Sequence, residues 1–193
     1  MASGYPAGTT ASREGNNGNC EQRCRIDLGG QVFVVAKTWK EQLLIHIRKY
    51  DTEKGRTFPT IRGVTLQLRQ WNDLKDNTRE IDEAVTTLKQ GKEVKLSCHL
   101  GNNLHVSVER PFPGIDVRQW WRCDDTKDAK PCKKKGIFLK FEQWEKLKDT
   151  FQIMEDFVPE LNTVIPCAMQ EDHQNQVGMH RCAFCNPNDH QNW

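Results

Sequence analysis

Aromatic and basic residues are interleaved in two stretches of the chain, and this mixture suits the binding of single-stranded nucleic acid. Aromatic rings stack on any base, while lysine and arginine neutralise phosphates. The candidate residues are Trp39, Arg48, Tyr50, Phe58 and Arg62 in the first stretch, and Arg110, Phe112, Lys133, Lys134 and Lys135 in the second. The alternative is that Tyr50 and Phe58 belong to a core and that the lysine run is a solvated loop.

A second group of residues with ligand chemistry lies near the C-terminus. Cys167, His180, Cys182 and Cys185 could close a tetrahedral zinc site, with His173 as a substitute for one of them. Cys182 and Cys185 have the two-residue gap of a zinc knuckle, and a short tail needs a metal to become ordered. Because the tail lacks a second pair with this spacing, an unstructured tail with incidental thiols is the alternative. The predicted zinc is structural.

Composition restricts the class of protein. The chain has 193 residues, eight cysteines and a net charge of only +2, so nucleic-acid binding has to rest on local clusters of charge. Residues 1–19 lack the apolar stretch of a signal peptide, and no segment approaches the length of a membrane span. Without an export signal, the cysteines are expected to be free thiols or metal ligands instead of disulfides. No pattern of catalytic residues stands out, and we do not predict an enzyme.

The candidate nucleic-acid residues belong to a unit that occurs twice. Residues 62–76 return as residues 135–149 without a gap, and repetition of this kind indicates one structural unit built twice. The identical pairs are Gly63/Gly136, Leu66/Leu139, Gln70/Gln143, Trp71/Trp144, Leu74/Leu147, Lys75/Lys148 and Asp76/Asp149.

Hydrophobic periodicity predicts an α+β fold in which each unit has four strands and one helix. In the first unit, residues 31–39 and 43–50 are strand-like, residues 58–66 supply one or two further strands, and residues 69–88 form one helix. In the second unit, residues 94–99 and 104–110 are strands and residues 141–161 are a helix. Trp71 and Trp144 lie on the apolar helix stripes and are predicted to be core residues.

A long loop, residues 111–134, separates the strands of the second unit in this prediction. It contains Trp120 and Trp121, which could either extend the binding groove by stacking or cover the flank of the sheet.

The domain boundaries follow from these elements. A disordered arm is predicted for residues 1–25, the two units for residues 26–90 and 91–165, and a polar tail for residues 166–193. A unit of about sixty residues buries too little surface to be comfortably stable alone. The two curved antiparallel sheets, each covered by a helix, are therefore expected to pair as an intrachain pseudo-dimer.

The first unit resembles the C-terminal domain of positive cofactor four, a eukaryotic family of transcriptional coactivators that bind single strands. Residues 43–50, 62–66, 70–75 and 81–88 carry the resemblance. It implies a nuclear protein whose paired sheets bind single-stranded or melted DNA and whose partners are proteins of the transcription machinery. The second unit is similar to the family more loosely, mostly over residues 135–161.

By position, the resemblance places Trp39 where the family has an aromatic that stacks on a base, and Arg48 and Arg62 at basic positions of the binding sheet. Phe112 takes another aromatic position and Lys135 matches Arg62.

In the second unit, Leu100 is aligned with Trp39 and Glu109 with Arg48, so the second groove is expected to bind more weakly or differently. Two alternatives follow for the function. One is a protein-interaction module of the same fold with a decayed groove, and the other is an RNA-binding protein, because stacking does not discriminate the sugar.

Overall fold

A computed structural model of the chain describes residues 20–122, 129–173 and 175–192. The first four strands are β1 (Cys20–Gly29), β2 (Val32–Trp39), β3 (Gln42–Glu53) and β4 (Arg56–Gln67), followed by the helices α1 (Leu68–Asp76) and α2 (Thr78–Lys89). The next four strands are β5 (Lys95–His99), β6 (Leu104–Glu109), β7 (Ile115–Arg122) and β8 (Ala129–Leu139), followed by the helix α3 (Phe141–Phe157). The remaining elements are 3-10 turns at Pro159–Thr163, Cys167–Met169, Glu171–His173 and His190–Asn192, and the short helix α4 (Gln176–Arg181).

The chain forms two antiparallel four-stranded sheets, β1-β2-β3-β4 and β5-β6-β7-β8, each followed by helices. This confirms the predicted α+β fold and the duplication. Side chains alternate between the two faces of a strand. Ile45 and Ile47 are fully buried, whereas the residues that follow each of them, His46 and Arg48, lie on the opposite face. Each sheet therefore has a core face and a polar face.

The structure corrects the predicted extent of the N-terminal arm and of the loop in the second unit. The strand β1 begins at Cys20, inside the predicted arm 1–25; residues 1–19 lie outside the described residues. The predicted loop 111–134 contains β7 and the start of β8, because Ile115 and Val117 alternate with polar residues as in a half-buried strand.

The helices also differ from the prediction. The expected helix 69–88 is two helices separated at Asn77. The expected helix 141–161 ends at Phe157, and Pro159 begins a 3-10 turn, since proline cannot donate to the helical hydrogen-bond ladder.

The two units exchange equivalent hydrogen bonds through a pair of glutamines. The Gln70 side chain donates from Nε2 to the Gly101 carbonyl in the β5–β6 turn at 2.9 Å, and Gln143 donates to the Gly29 carbonyl in the β1–β2 turn at 2.8 Å. Each glutamine also accepts a hydrogen bond from the residue just before its own helix: Gln70 Oε1 accepts from the Gln67 N–H, and Gln143 Oε1 accepts from the Lys140 N–H. A reciprocal exchange of this kind is the signature of a twofold interface, here within one chain.

The helices pack against each other across the same pseudo-twofold axis. Trp71 and Trp144 are both fully buried, which confirms their prediction as core residues. The ring of Trp71 meets Phe151 of the other unit edge-on, with centroids 5.1 Å apart. Trp144 donates from Nε1 to Asp82 at 2.7 Å, and Lys148 pairs with the same carboxylate at 2.8 Å. The two units therefore share one core.

No helix among the described residues is long and apolar enough to cross a membrane. The cysteine side chains that the structure describes all lack a disulfide: Cys24, Cys98, Cys132, Cys167, Cys182 and Cys185.

Candidate nucleic-acid interface and metal cluster

The strands β4 and β8 lie against each other and bring the two sheets together, with a cleft on either side. The larger, about 640 Å³ in volume, is called the large cleft; its lining residues are Leu28, Gly29, Gly30, Val32, Lys49, Arg62, Arg118, Lys133, Gly136, Ile137, Phe138, Lys140, Glu142, Gln143 and Lys146. The other, about 460 Å³, is called the small cleft and is lined by Arg48, Ile61, Gly63, Val64, Thr65, Leu104, Gln119, Lys134 and Lys135.

The two clefts are pseudo-twofold equivalents. Arg48 pairs across the strands with Gly63 in the small cleft, and Arg118 pairs in the same way with Gly136 in the large cleft. Each cleft combines such a pair from one unit with basic residues of the other. Each cleft thus forms only when the two units come together.

This register corrects the alignment of the second unit. The equivalent of Arg48 is Arg118, and not Glu109, since both arginines face the glycine that is matched in the duplication. Leu100, aligned with Trp39 in the prediction, is fully buried beside the β5–β6 turn and is a core residue. The pattern arginine-x-aromatic at residues 48–50 and 118–120 is the sequence signal that would have found Arg118.

Both arginines are held in place by the sheet. Arg48 donates from Nη1 to the Thr60 carbonyl at 2.6 Å, and Arg118 donates to the Cys132 carbonyl at 2.9 Å. Arg118 is also bidentate on Asp116 at 2.7 and 2.9 Å, and this hydrogen bonding raises the pKa of Arg118. Burial lowers the pKa of Arg48. The two guanidinium groups are therefore fixed in position, and that of Arg118 is partly neutralised.

Positive charge is concentrated in the large cleft. Among the described residues, six lysines or arginines and one carboxylate, Glu142, line it, whereas Arg48, Lys134 and Lys135 are the cations of the small cleft. The sequence prediction missed four of the cations in the large cleft: Lys49, Arg118, Lys140 and Lys146. Lys49 lies between the candidates Arg48 and Tyr50 in sequence, whereas Arg118, Lys140 and Lys146 are not at candidate positions, and the pairing of the units brings all four into one cleft.

Two exposed phenylalanines continue the large cleft along the second sheet. Phe112 and Phe138 are 58% and 40% exposed, unusual for such large apolar side chains. They line a groove of about 290 Å³, called the aromatic groove, together with Ser107, Glu109, Gly114, Asp116 and Arg118. Arg118 and Phe138 line both spaces, so cations and stackable rings adjoin.

The remaining predicted residues divide into exposed and occupied side chains. Trp39 and Phe58 are about half exposed and lie in the first sheet, outside the lining of both clefts. Tyr50 is buried edge-on to Phe33, and its ring is not available for stacking. Arg110 forms a solvent-exposed ion pair with Glu93 of the inter-unit linker at 3.0 Å and lines neither cleft. The structure does not bring Tyr50 and Arg110 into the clefts.

Histidines on the polar faces of the sheets are uncharged near neutral pH. Burial, followed by the charges of Lys37 and Arg48, lowers the pKa of His46 to about 4. Burial and the neighbouring His99 lower the pKa of His105 to about 4. Trp120 and Trp121 belong to strand β7 instead of a loop. The ring of Trp120 packs edge-on to His105, with ring centroids 5.7 Å apart. Positive charge on these faces at neutral pH therefore comes from lysine and arginine.

A compact cluster of Cys167, His173, Cys182 and Cys185 lies in the C-terminal segment, defined here as residues 166–173 and 175–192. Its four ligand atoms are all within 4.8 Å of one another. The predicted set contained His180, which is exposed on α4 and lies outside the cluster. His173, the predicted substitute, occupies its place because the Glu171–His173 turn folds back onto the cysteines. The cluster could hold a metal ion.

The cluster has the dimensions of a tetrahedral site. A zinc ion with bonds of about 2.3 Å to sulfur and about 2.0 Å to nitrogen requires ligand atoms about 3.4–3.8 Å apart. The His173 Nε2 atom is 3.3 and 3.4 Å from the sulfurs of Cys167 and Cys185, and Cys167 is 3.7 Å from Cys182. Asp172 holds the His173 Nδ1 atom at 2.6 Å, the carboxylate contact that orients histidine ligands.

The C-terminal segment docks on the β5–β6 turn of the second unit. The Asn102 N–H donates to the Phe184 carbonyl at 2.9 Å, and the side chains of Asn103 and Asn188 exchange two hydrogen bonds of 2.9 Å.

Comparison with known proteins agrees with this architecture. The family model described as Transcriptional Coactivator p15 (PC4) matches residues 26–77 and 98–150, which together are more than half of the chain. A curated relative, the RNA polymerase II transcriptional coactivator KIWI of Arabidopsis thaliana, is 31% identical over 65 residues. That alignment covers 34% of this chain and 59% of the relative. No solved structure matches the chain. The chain belongs to the transcriptional coactivator p15 (PC4) family, with the family domain present twice.

Proposed function

We propose that the protein is a nuclear transcriptional coactivator that binds single-stranded or melted DNA. The observation that carries the proposal is the junction of the large cleft with the aromatic groove, where basic side chains adjoin the exposed rings of Phe112 and Phe138. Single-strand binders combine a positive groove that follows the backbone with rings on which bases stack. Proteins of the transcription machinery would be its partners, as the kinship with a transcriptional coactivator suggests.

The geometry favours unpaired over paired bases. The bases of a duplex are already stacked on each other, so they can stack on Phe112 and Phe138 only after the strands separate. Phosphates would lie along Lys49, Lys140 and Lys146, which line the large cleft. Trp39 and Phe58 stay candidate stacking residues of the first sheet because both are half exposed. The role requires no catalytic group, and we propose a binding protein instead of an enzyme.

Fluorescence anisotropy with labelled single-stranded DNA, single-stranded RNA and duplex DNA tests this function. We expect single-stranded DNA to bind more tightly than duplex. With about five phosphate contacts, raising the salt concentration from about 50 to about 200 mM should weaken binding about 100-fold.

Preference for RNA would make the protein an RNA-binding member of the family. Absence of binding to all three nucleic acids would contradict the proposal and favour a protein-interaction module. The register of β7 and β8 makes Arg118 the counterpart of Arg48, so Glu109 does not replace a basic residue of the groove.

We also propose that Cys167, His173, Cys182 and Cys185 bind one structural zinc ion. Three thiolates and one imidazole complete a tetrahedral shell and leave no open position for a substrate. Purified protein should contain about one zinc per chain by elemental analysis. Cys182→Ser should abolish the zinc content, while Cys132→Ser, a free cysteine outside the cluster, should retain it. Zinc well below one per chain in the unsubstituted protein would contradict the site.

A further inference from the structure

We propose that the C-terminal segment restricts strand binding to one of the two clefts, which we call one-sided binding. It closes one end of the small cleft, and the equivalent end of the large cleft is open. This inference rests on the proposed binding of single strands. A symmetric dimer would offer two equal channels, whereas this chain would bind one strand, in the large cleft.

The pseudo-twofold relation identifies the closed end. Gly29 and Gly101 accept the two exchanged glutamine hydrogen bonds and are therefore equivalent turn positions. Gly29 and the following Gly30 line the large cleft. Their counterparts Gly101 and Asn102 do not line the small cleft, and neither do Gln67, Gln70 and Asp73, the counterparts of Lys140, Gln143 and Lys146 on the helix wall.

The C-terminal segment occupies this position. The ring of Phe184 lies so close to Gly101 that a Cβ atom added there would be 2.1 Å from it. The Phe184 carbonyl accepts from the Asn102 N–H, and the same ring covers the Arg69 guanidinium at 5.1 Å. Arg69 is thereby turned toward the segment, which leaves less charge for the small cleft.

The residues at the two ends differ in charge in the same sense. Counting from the matched glutamines Gln143 and Gln70, Lys140 corresponds to Gln67 and Lys146 to Asp73. Between them Glu142 corresponds to Arg69, so these three positions carry a net charge of +1 at the open end of the large cleft and 0 at the closed end. Phosphate binding should favour the large cleft even before the steric block is considered.

The closure is held by specific contacts. Arg122, at the end of β7, donates from Nη1 to both carboxylate oxygens of Asp189 at 2.8 Å, and the side chain of Asn188 is hydrogen-bonded to that of Asn103. Together with the Cys/His cluster these contacts fix the segment at both its ends. The C-terminal segment is therefore an ordered part of the second unit.

Stoichiometric titration of the full chain with a single-stranded oligonucleotide of about eight nucleotides, a length within the site sizes of single-strand binders, tests the inference. The unsubstituted protein should bind one equivalent and protect Lys146, but not Lys135, from acetylation. The double variant Phe184→Ala/Asp189→Asn should release the segment, accelerate hydrogen exchange at the Asn102 amide, and bind a second equivalent that protects Lys135. Met169→Lys, 76% exposed in the same segment and equal in its change of net charge, should behave like the unsubstituted protein.

Two equivalents bound by the unsubstituted protein would overturn one-sided binding and leave the proposed function intact. A variant whose Asn102 amide is freed but whose stoichiometry stays at one, with Lys135 unprotected, would overturn closure by the C-terminal segment as the cause of one-sided binding. Absence of oligonucleotide binding by every chain would overturn the proposed function, and one-sided binding with it. The result for the unsubstituted protein decides the matter even where the double variant fails to fold.

Discussion

Replacing both Phe112 and Phe138 by alanine should weaken binding of single-stranded DNA about 30-fold or more, with little loss of stability. Stacking of one base on one ring contributes about 1–3 kcal/mol, so the loss of two rings corresponds to at least about 2 kcal/mol. The rings are 58% and 40% exposed, which means that the folded state gains comparatively little from their burial. Anisotropy with labelled single-stranded DNA measures the affinity, and thermal unfolding measures the stability.

The salt dependence separates stacking from charge. The double substitution removes no cation, so the slope of log affinity against log salt should be unchanged while the affinity itself falls. Ile165→Ala is the matched control, because Ile165 is 59% exposed but lies outside the clefts and the aromatic groove. An unchanged affinity of the double variant, or an equal loss for Ile165→Ala, would contradict stacking at this groove.

The duplication and the alternation of core residues were readable from the sequence because they depend on local spacing. The matched glycines and tryptophans, and the burial of Ile45 and Ile47, follow from periods that a single strand or helix imposes. Strand β7 was missed because its polar positions, Asp116 and Arg118, made residues 111–134 resemble a charged loop. The pairing of these two side chains is visible only once both lie on one strand face.

The clefts could be predicted only in part, because each is assembled from two units. Arg62 and Lys133 were both recognised as basic candidates, yet the sequence assigned them to separate grooves, whereas they line the same cleft. The choice of His173 over His180 in the metal cluster has a similar cause. The sequence spacing of either histidine from the cysteines permits a tetrahedral site. Which histidine joins the cluster depends on which part of the chain folds back onto the cysteines, and here it is the Glu171–His173 turn.

Alanine substitutions at the two matched glycines should have different consequences, although both glycines face an arginine across the sheet. In Gly63→Ala the new Cβ would lie 2.7 Å from the Ile47 carbonyl and 2.8 Å from the Arg48 Cα. These are backbone atoms of β3, so the strands must move apart. Overpacking of this kind costs about 1–3 kcal/mol. A loss of about 2 kcal/mol lowers the Tm of a chain of this size by about 4–8 °C in thermal unfolding.

In Gly136→Ala the new Cβ meets a side chain that can move. The nearest atoms are Cζ and Nη1 of the Arg118 guanidinium, at 2.6 and 2.7 Å. Arg118 can swing away, at the expense of its hydrogen bonds to Asp116 and to the Cys132 carbonyl. The Tm should therefore fall less than in Gly63→Ala, while binding of single-stranded DNA weakens because Arg118 lines both the large cleft and the aromatic groove. Equal losses of Tm for the two variants, or an unaltered affinity in Gly136→Ala, would show that Arg118 is not held at the cleft by the space this glycine leaves.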